Sequence, residues 1–530
     1  MQRNLLRNIK NMLPYCGLSA IAGCLSAILG TVFKLGAEEV IHLCGTLYAV
    51  VRQNLLWLPV LVLGAALLGL VASWIVSKAP SCKGGGIPSS AGAVRGMFIF
   101  PWLTSVIVLP FSALLTFFCG LPLGTEGPCV QMGTAVGDGV LRCWGSKKQL
   151  PWRRYVMTGG ASAGFSVAAA SPLSAIVFSV EDLQKKFSPL ILLGVSVSVM
   201  TAQITVQLLS LLGIGSASLF QISDMSTLAP CLLFAPLLIG IICGLCSVLF
   251  TRFYHMVAKL AGTVMQKRSV VLVFPLLFAG MALVGVALSD ALGTGHGLVE
   301  KLLDHHIAWY LLLVVFLVRT VFTTTANAAG VTGGLFLPTL AFGGIIGSLC
   351  ADGMIALGWM EANYYPLMVV LGIVAFLGAT SRIPLTAGVF AVESLGCIHN
   401  VPAVIIAITV AFLTAELSGV EEITETVIDA KLHSLRKGTE PTAVECSFTV
   451  EEHSFTVEEH SFAVGKEPSD ILWPDTCTVV SVEPAQRSHT SSHIQAGDRI
   501  TVRYKRYSNS EPDKELMALV GSSAENMQCL

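Results

Sequence analysis

Three short segments rich in glycine and proline border long apolar runs, and their residue types suit anion binding. The segments are Gly84-Gly85-Gly86-Ile87-Pro88, Gly124-Thr125-Glu126-Gly127-Pro128 and Gly334-Leu335-Phe336-Leu337-Pro338. Glycine beside proline is typical of a helix start, where four N–H groups lack intrahelical partners and carry the positive end of the helix dipole. Convergent helix starts would hold an anion by partial charges, weakly enough to release it. Close helix packing would explain one such segment equally well, but three together favour a site.

Glu126 is the residue in these segments that could carry a proton. Between Trp102 and Leu141 the only other charged side chain is Asp138, and a carboxylate at mid-bilayer costs about 2.5–3.5 kcal/mol or more. At a helix start beside an anion site, this carboxylate would compete with the anion for the same N–H groups until it becomes protonated. We therefore expect Glu126 to be a gate and a proton carrier. The alternative is a carboxylate that only caps a helix among lipid headgroups.

The composition indicates that membrane spans position these residues. Of 530 residues, 54% are hydrophobic and 12% are charged, against about 25% charged in a soluble domain, and the mean hydropathy is +0.73. These values exclude a soluble multidomain enzyme, and a net charge of −1 without a basic stripe excludes a nucleic-acid-binding protein. The clearest apolar runs, each a candidate span or part of one, are 20–35, 55–76, 102–121, 190–212, 228–250, 270–288, 309–321 and 401–413.

Neither enzyme chemistry nor a cofactor is indicated by the remaining patterns. Most of the 15 cysteines lie singly in apolar runs and show neither a disulfide framework nor zinc spacing. A polytopic membrane enzyme would need a nucleophile–base pair or a metal motif such as His-Glu-x-x-His, and that motif is absent. We expect no metal and no cofactor.

An internal repeat divides the membrane region into two halves, roughly residues 10–215 and 225–430. Gly124, Pro128, Gly133 and Gly137 recur 210 positions later as Gly334, Pro338, Gly343 and Gly347. Residues 172–181 (PLSAIVFSVE) and 384–393 (PLTAGVFAVE) share seven of ten residues at a displacement of 212. Paired halves with broken helices at matching places point to a transporter site at the interface of the repeats. The residues alone leave inverted and parallel arrangements open.

The chain changes character near residue 440. The last 100 residues hold 25 of the 65 charges, and SFTVEEH occurs twice in tandem over 447–460. Runs at 477–482 and 500–504 predict strands, the second introduced by a turn at 496–498. We expect residues 1–440 to form the membrane domain and 441–530 a small α+β domain in the cytoplasm. Basic residues before the first apolar run favour a cytoplasmic N-terminus.

The three motifs, in this order and spacing, resemble the anion-filter motifs of the CLC chloride channel and transporter family, usually G-S-G-I-P, G-[RK]-E-G-P and G-x-F-x-P. The resemblance covers the first 430 residues. It implies an all-helical polytopic fold with inverted repeats and broken helices, and a homodimer in the plasma or inner membrane. It further implies proton-coupled chloride antiport, with a passive voltage- or pH-gated chloride channel as the alternative.

The resemblance also implies roles for individual residues. Glu126 matches the family's gating glutamate, which passes protons to the outside, and Asp182 falls where transporters of the family have an inner proton-transfer glutamate. The implied chloride ligands are Gly85, Gly86, Ile87, Leu335, Phe336 and Thr424. The remaining filter residues are Gly84, Pro88, Gly124, Thr125, Gly127, Pro128, Gly334 and Pro338.

Three positions depart from the family pattern. Gly85 stands where the family has a serine that binds chloride, Thr424 is the best match to its central tyrosine, and Thr125 replaces a basic residue. A lost hydroxyl hydrogen bond to a charged partner is worth about 1.5–3 kcal/mol. These departures predict weak chloride binding and more chloride ions moved per proton. They also predict that Gly85→Ser binds chloride more tightly, provided that the helix start has room for the side chain.

The C-terminal segment resembles the C-terminal regulatory domain of Trk-type potassium-uptake proteins (RCK-C). Gly497 and Asp498 match the usual glycine and aspartate before its last strands. This resemblance implies a cytoplasmic domain that binds a small-molecule ligand or dimerises.

Overall fold

The computed structural model describes residues 2–145, 151–215, 219–220, 225–267, 270–304, 307–436, 449–458, 461–468, 471–473, 477–484, 493–506, 516–517, 519–520 and 528–529. Within these residues the first 436 positions are almost entirely helical. The helices are α1 Gln2–Gln53, α2 Leu58–Lys78, α3 Ile87–Val94, α4 Trp102–Phe118, α5 Glu126–Trp144, α6 Arg153–Ala169, α7 Pro172–Phe178, α8 Pro189–Leu211, α9 Phe234–Lys267, α10 Val270–Ala287, α11 His296–Asp304, α12 Trp309–Ala329, α13 Phe336–Ala356, α14 Tyr365–Thr380, α15 Pro384–Glu393, α16 Val401–Leu417 and α17 Ile423–Arg436.

Eight helical stretches of the described chain are long and apolar enough to cross a membrane. Two of them, Phe336–Ala356 and Ala362–Thr380, are absent from the apolar runs picked out by sequence, and over 70% of each is buried inside the protein. The runs at 102–121 and 270–288 correspond to the shorter helices α4 and α10. The expected all-helical membrane domain is confirmed.

Glycines let the central helices approach one another closely. A Cβ on Gly133 of α5 would lie 2.0 Å from the carbonyl oxygen of Gly160 on α6, and one on Gly343 of α13 would lie 2.4 Å from that of Gly372 on α14. Backbone atoms cannot yield to a side chain at such distances. The last two glycines of each repeat therefore serve helix packing, which leaves the first glycine and the proline to shape the helix start.

The two halves meet through matching residues. Gly124 and Gly334 form an antiparallel bridge, in which each N–H donates to the other's carbonyl at 2.7 and 2.8 Å. Glu181, at the end of the first PL-x-A-x-V-F-x-V-E element, accepts bonds from the N–H groups of Leu385 and Thr386 at the start of α15. Glu393, its repeat mate, caps α7 in the same way through Leu173 and Ser174. Each half thus caps a helix of the other.

Removing either exchanged cap is expected to destabilise the fold. Glu181→Gln or Glu393→Gln replaces charge-assisted hydrogen bonds at a helix start by weaker ones, at a cost of about 1–3 kcal/mol in the free energy of unfolding. The loss should appear as a lower thermal midpoint in detergent, while Glu361→Gln, at an exposed position, should leave the midpoint unchanged. An unchanged midpoint in both cap variants would show that the caps contribute no stability.

The C-terminal residues form a four-stranded antiparallel sheet. Its strands are β1 Thr449–Thr456, β2 Cys477–Glu483, β3 Arg499–Arg506 and β4 Gln528–Cys529, in the order β2-β3-β1-β4. The two predicted strands are present as β2 and β3. The turn before β3 is also present, because Gly497 has a φ of 90° and Asp498 accepts a hydrogen bond from the N–H of Gln495 at 2.7 Å. The expected boundary at residues 440 and 441 lies outside the described residues.

Candidate functional site

The three glycine and proline motifs meet backbone to backbone at the centre of the membrane domain. A Cβ on Gly86 would lie 2.5 Å from Cα of Gly127, and one on Gly127 would lie 2.8 Å from Cα of Gly334. Only glycine permits three chain segments to come this close. Because Ile87, Glu126 and Phe336 are the first residues of α3, α5 and α13, three helix starts from both repeats converge on one point.

A cavity adjoins this point and is lined by most of the predicted anion ligands. Its wall includes Gly84, Gly85, Ile87, Pro88, Asp182, Gly334, Leu335, Phe336, Thr424 and Lys431. The first intrahelical bond of α13 is that from Thr339 N to Leu335 O. Leu335 and Phe336, which precede it, line the cavity, so their N–H groups remain available there. The structure therefore places Leu335, Phe336 and Thr424 together with the first motif.

Gly86 differs from the expectation for an anion ligand. It does not line the cavity, and its N–H donates to Oε1 of Gln131 at 2.8 Å. Gln131 lies on α5 and also donates to the carbonyl of Ser81 at 2.8 Å, so its amide fixes the turn before α3. Gln131 was not among the predicted site residues, although a buried amide within α5 was a usable signal.

Gly85 has little room for the serine of the usual family motif. Its φ is +35°, a conformation that side-chain-bearing residues rarely adopt, and an added Cβ would lie 3.1 Å from Cγ2 of Thr332 and 3.3 Å from Cδ1 of Leu109. The helix start therefore lacks the room that tighter chloride binding by Gly85→Ser would require. We now expect this variant to strain the turn rather than tighten anion binding.

Glu126 is completely buried at the first position of α5. Neither carboxylate oxygen has a hydrogen-bond partner among the described residues, and Oε2 lies 2.7 Å from the point where a side chain on Gly124 would begin. Gly124 thus leaves the space that the carboxylate occupies. A charge without partners is costly in such a place, so protonation or an exchange of position with an anion would relieve it. Glu126 is not part of the cavity wall.

Asp182 lies on the cavity wall, in a π-helical turn that follows α7. It is 3% exposed, and its Oδ1 lacks a partner in the described part of the chain. Arg95 holds the turn by donating to the carbonyls of Asp182 at 2.5 Å and Leu183 at 2.8 Å. The Asp182 carboxylate is therefore placed by its backbone and keeps an oxygen available for a proton.

A cluster of charges links this turn to α17. Arg95 pairs with Glu425 at 2.7 Å, and Lys185 pairs with both Glu425 and Glu422. Burial raises the pKa of Glu422, whereas at Glu425 burial is outweighed by the hydrogen bonds from Lys185 and Arg95, which lower its pKa. Lys185 is therefore paired with two carboxylates whose pKa values are shifted in opposite directions. Arg95 was not among the predicted site residues, although residues 84–141 contain only two other charged side chains, Glu126 and Asp138.

Lys431 brings a positive charge to the cavity, where burial lowers the pKa of its ammonium group to about 8. It lies on α17, lines the cavity and donates a hydrogen bond from Nζ to Oγ of Ser89 on α3. Lys431 was not among the predicted site residues, because it belongs to a helix with several charged residues. An ammonium group at the cavity wall attracts anions from the adjoining solution.

One further sequence pattern is structural. Residues 160–164 (Gly-Ala-Ser-Ala-Gly) have the Gly-x-Ser-x-Gly spacing of hydrolases, but they lie inside α6, where their glycines contact α5. A nucleophile elbow requires a sharp turn between a strand and a helix. No group of three or more His, Cys, Asp or Glu residues that could hold a metal ion occurs among the described residues.

Comparison with known proteins agrees with this geometry. The chain is 28% identical over 434 residues to the H(+)/Cl(-) exchange transporter ClcA of Yersinia pseudotuberculosis, which covers 79% of this chain and 87% of the relative. Its fold is similar to that of a slow cyanobacterial Cl−/H+ antiporter, with a TM-score of 0.72, 20% identity and coverage of 79% and 98% of the two chains. It is also similar to a eukaryotic CLC transporter, with a TM-score of 0.65, 16% identity and coverage of 79% and 74%.

A family model described as "Voltage gated chloride channel" matches residues 68–416. This stretch contains all three glycine and proline motifs and both copies of the repeated PL-x-A-x-V-F-x-V-E element. It makes up well over half of the chain, and its convergent helix starts are those described above. The protein therefore belongs to the voltage-gated chloride channel (CLC) family.

Proposed function

We propose that this protein exchanges chloride for protons across the membrane. The observation that carries the proposal is the convergence of three helix starts close to two buried acids, Glu126 and Asp182, both with a carboxylate oxygen that lacks a partner among the described residues. Helix starts stabilise an anion without a full charge, and buried carboxylates can take up and release protons. Similar proteins named as chloride–proton exchangers support the same reading.

Chloride passes through the cavity in this proposal. Leu335 and Phe336 offer N–H groups at the start of α13, Ile87 offers one at the start of α3, and Gly85 and Thr424 complete the wall. Gly86 is left out because its N–H is bonded to Gln131. The charge of Lys431 raises the local chloride concentration. Partial charges then hold the anion loosely enough for it to leave.

Protons use the two acids in turn. Asp182 receives a proton from the cytoplasmic side, beside the charge cluster of Lys185, Glu422 and Glu425. Glu126 accepts it at the helix starts and releases it to the outside. Because the Glu126 carboxylate and chloride compete for the same positive helix ends, each proton transfer is tied to a movement of chloride.

Reconstitution tests the proposed exchange. Vesicles that contain the purified protein, with a chloride gradient and no pH gradient, should show proton movement opposite to chloride, whereas protein-free vesicles should not. Chloride movement without any proton movement would contradict exchange and would instead fit the passive channel.

Neutralising Lys431 is expected to weaken chloride uptake from the cavity side. A neighbouring unit charge contributes up to about 4 kcal/mol near a protein surface, and a third of that value is about tenfold in affinity. Lys431→Met should therefore raise the chloride concentration for half-maximal flux by about tenfold, with a smaller effect at saturation. The matched control is Lys78→Met, at an exposed lysine that ends α2. Equal half-maximal concentrations in wild type and Lys431→Met would contradict this role.

We also propose the assembly and setting that the family resemblance implies. The protein forms a homodimer with one anion pathway in each subunit, in the plasma or inner membrane, with both termini in the cytoplasm. Residues 441–530 act as an RCK-C-like regulatory domain that responds to a small-molecule ligand. Cross-linking in native membranes tests the dimer, and labelling of single added cysteines from either side of the membrane tests the location of the termini.

A further inference from the structure

The C-terminal domain is docked on the membrane domain through an aromatic cluster. Phe462, which follows β1, packs edge-on against Trp152 with ring centroids 4.6 Å apart, and Trp152 stacks on Tyr15 of α1 at 4.3 Å. Nζ of Lys466 lies over the ring of Phe462, 3.2 Å from its centroid, and over that of Trp152 at 5.4 Å. Such aromatic and cation–π contacts stabilise an interface beyond the apolar area that they bury. These contacts therefore form an interface between the C-terminal domain and the membrane domain.

Two consecutive residues of α6 also form hydrogen bonds with the backbone of Leu472. The hydroxyl of Tyr155 accepts a hydrogen bond from the N–H of Leu472 at 2.9 Å, and Nη1 of Arg154 donates to the carbonyl of Leu472 at 3.0 Å. All three residues are buried. Hydrogen bonds in a buried site are costly to leave unmade, so the docked position is specific. We call this pair of contacts the Leu472 clasp.

The clasp is connected directly to the anion site. Nε of Arg154 donates to the carbonyl of Val94 at 2.6 Å, and Val94 is the last residue of α3. The same eight-residue helix begins at Ile87 on the cavity wall. The next residue, Arg95, holds the backbone of Asp182. One guanidinium group therefore touches both the C-terminal domain and the helix that ends at the proposed proton site.

We propose that the C-terminal domain regulates exchange through the Leu472 clasp, by fixing the end of α3 and with it the turn that carries Asp182. When the domain is docked, α3 is held at both ends. When it undocks, Arg154 loses a partner, the α3 end and the Asp182 turn gain freedom, and chloride passes with fewer protons. This inference rests on the proposed exchange function and adds the route by which the domain controls it.

Point variants of the full chain test the clasp from both sides. Tyr155→Phe removes a hydrogen bond at almost constant volume, and Phe462→Ala removes the aromatic contact from the other partner. The matched control is Val480→Ala, at an exposed position of β2. Hydrogen–deuterium exchange over residues 461–473 reports whether the domain is undocked, and exchange over residues 87–96 reports the freedom of α3.

The expected result is faster deuterium uptake in both segments and a ratio of chloride to proton flux that rises at least about fivefold, the lower end of ordinary allosteric coupling. The double variant should exceed the larger single effect only slightly, because both changes act through one contact. A wild-type flux ratio in a variant whose domain is undocked would overturn the inference while leaving exchange intact. If the wild type moves chloride without protons, the exchange proposal fails. In that case the chloride flux alone tests the clasp, and an unchanged chloride flux in a variant whose domain is undocked would overturn it.

Discussion

Glu126→Gln is expected to abolish proton movement while chloride flux persists. Glutamine keeps the size of the side chain and mimics the protonated acid, but it cannot take up or release a proton. Loss of a positioned proton carrier costs about 100-fold or more in rate, so chloride-driven proton uptake should fall below detection. The neutral side chain no longer competes with chloride at the helix starts, and chloride flux should therefore continue.

A second acid on the same helix provides the control. Asp138→Asn changes a carboxylate of α5 that is paired with Arg142 at 2.9 Å and Arg153 at 2.6 Å. This variant should lose stability rather than proton coupling. Undiminished proton pumping by Glu126→Gln, with normal protein levels, would contradict the assignment of the gate.

Asp182→Asn is expected to give the second large effect. The amide fits the same buried turn, which Arg95 holds by backbone carbonyls alone, so the fold should tolerate the change. Protons from the cytoplasmic side then lack their buried acceptor, and proton flux should drop by about 100-fold or more. Chloride flux should change much less, because the anion is held by helix starts. Flux of both ions in reconstituted vesicles measures the separation.

The neighbouring acid makes this test specific. Glu181→Gln alters the adjacent carboxylate, which caps α15 and has no proposed part in proton transfer. It should keep the chloride-to-proton ratio of the wild type and lower only the thermal midpoint. If Asp182→Asn retains full coupling, or if both variants lose it equally, the inner proton site lies elsewhere.

The parts of the site set by local chemistry could be predicted from the sequence. Glycine and proline mark helix starts because they satisfy local backbone requirements, so all three motifs could be located without a structure. The repeat predicted that Gly124 and Gly334 are equivalent, and the structure pairs them. Asp182 needed the family resemblance, since its residue type alone fits an ordinary helix end.

The parts set by contacts between distant segments could not be predicted. Which N–H groups are free depends on partners such as Gln131, 45 positions from Gly86. Helix α13 escaped the search for apolar runs because glycines and hydroxyl residues interrupt its apolar residues, whereas α14 is almost continuously apolar and could have been found. The contact between Arg154 and Leu472, 318 positions apart, has no signature in either segment alone.

The membrane potential at which ionic current reverses tests chloride–proton exchange most directly. With fixed chloride gradients and a varied pH gradient across a bilayer that contains the purified protein, exchange predicts that the reversal potential shifts with the pH gradient, because each cycle moves both ions. The shift should disappear in Glu126→Gln. A reversal potential that stays at the chloride equilibrium potential at every pH gradient would contradict exchange and identify a passive chloride pathway.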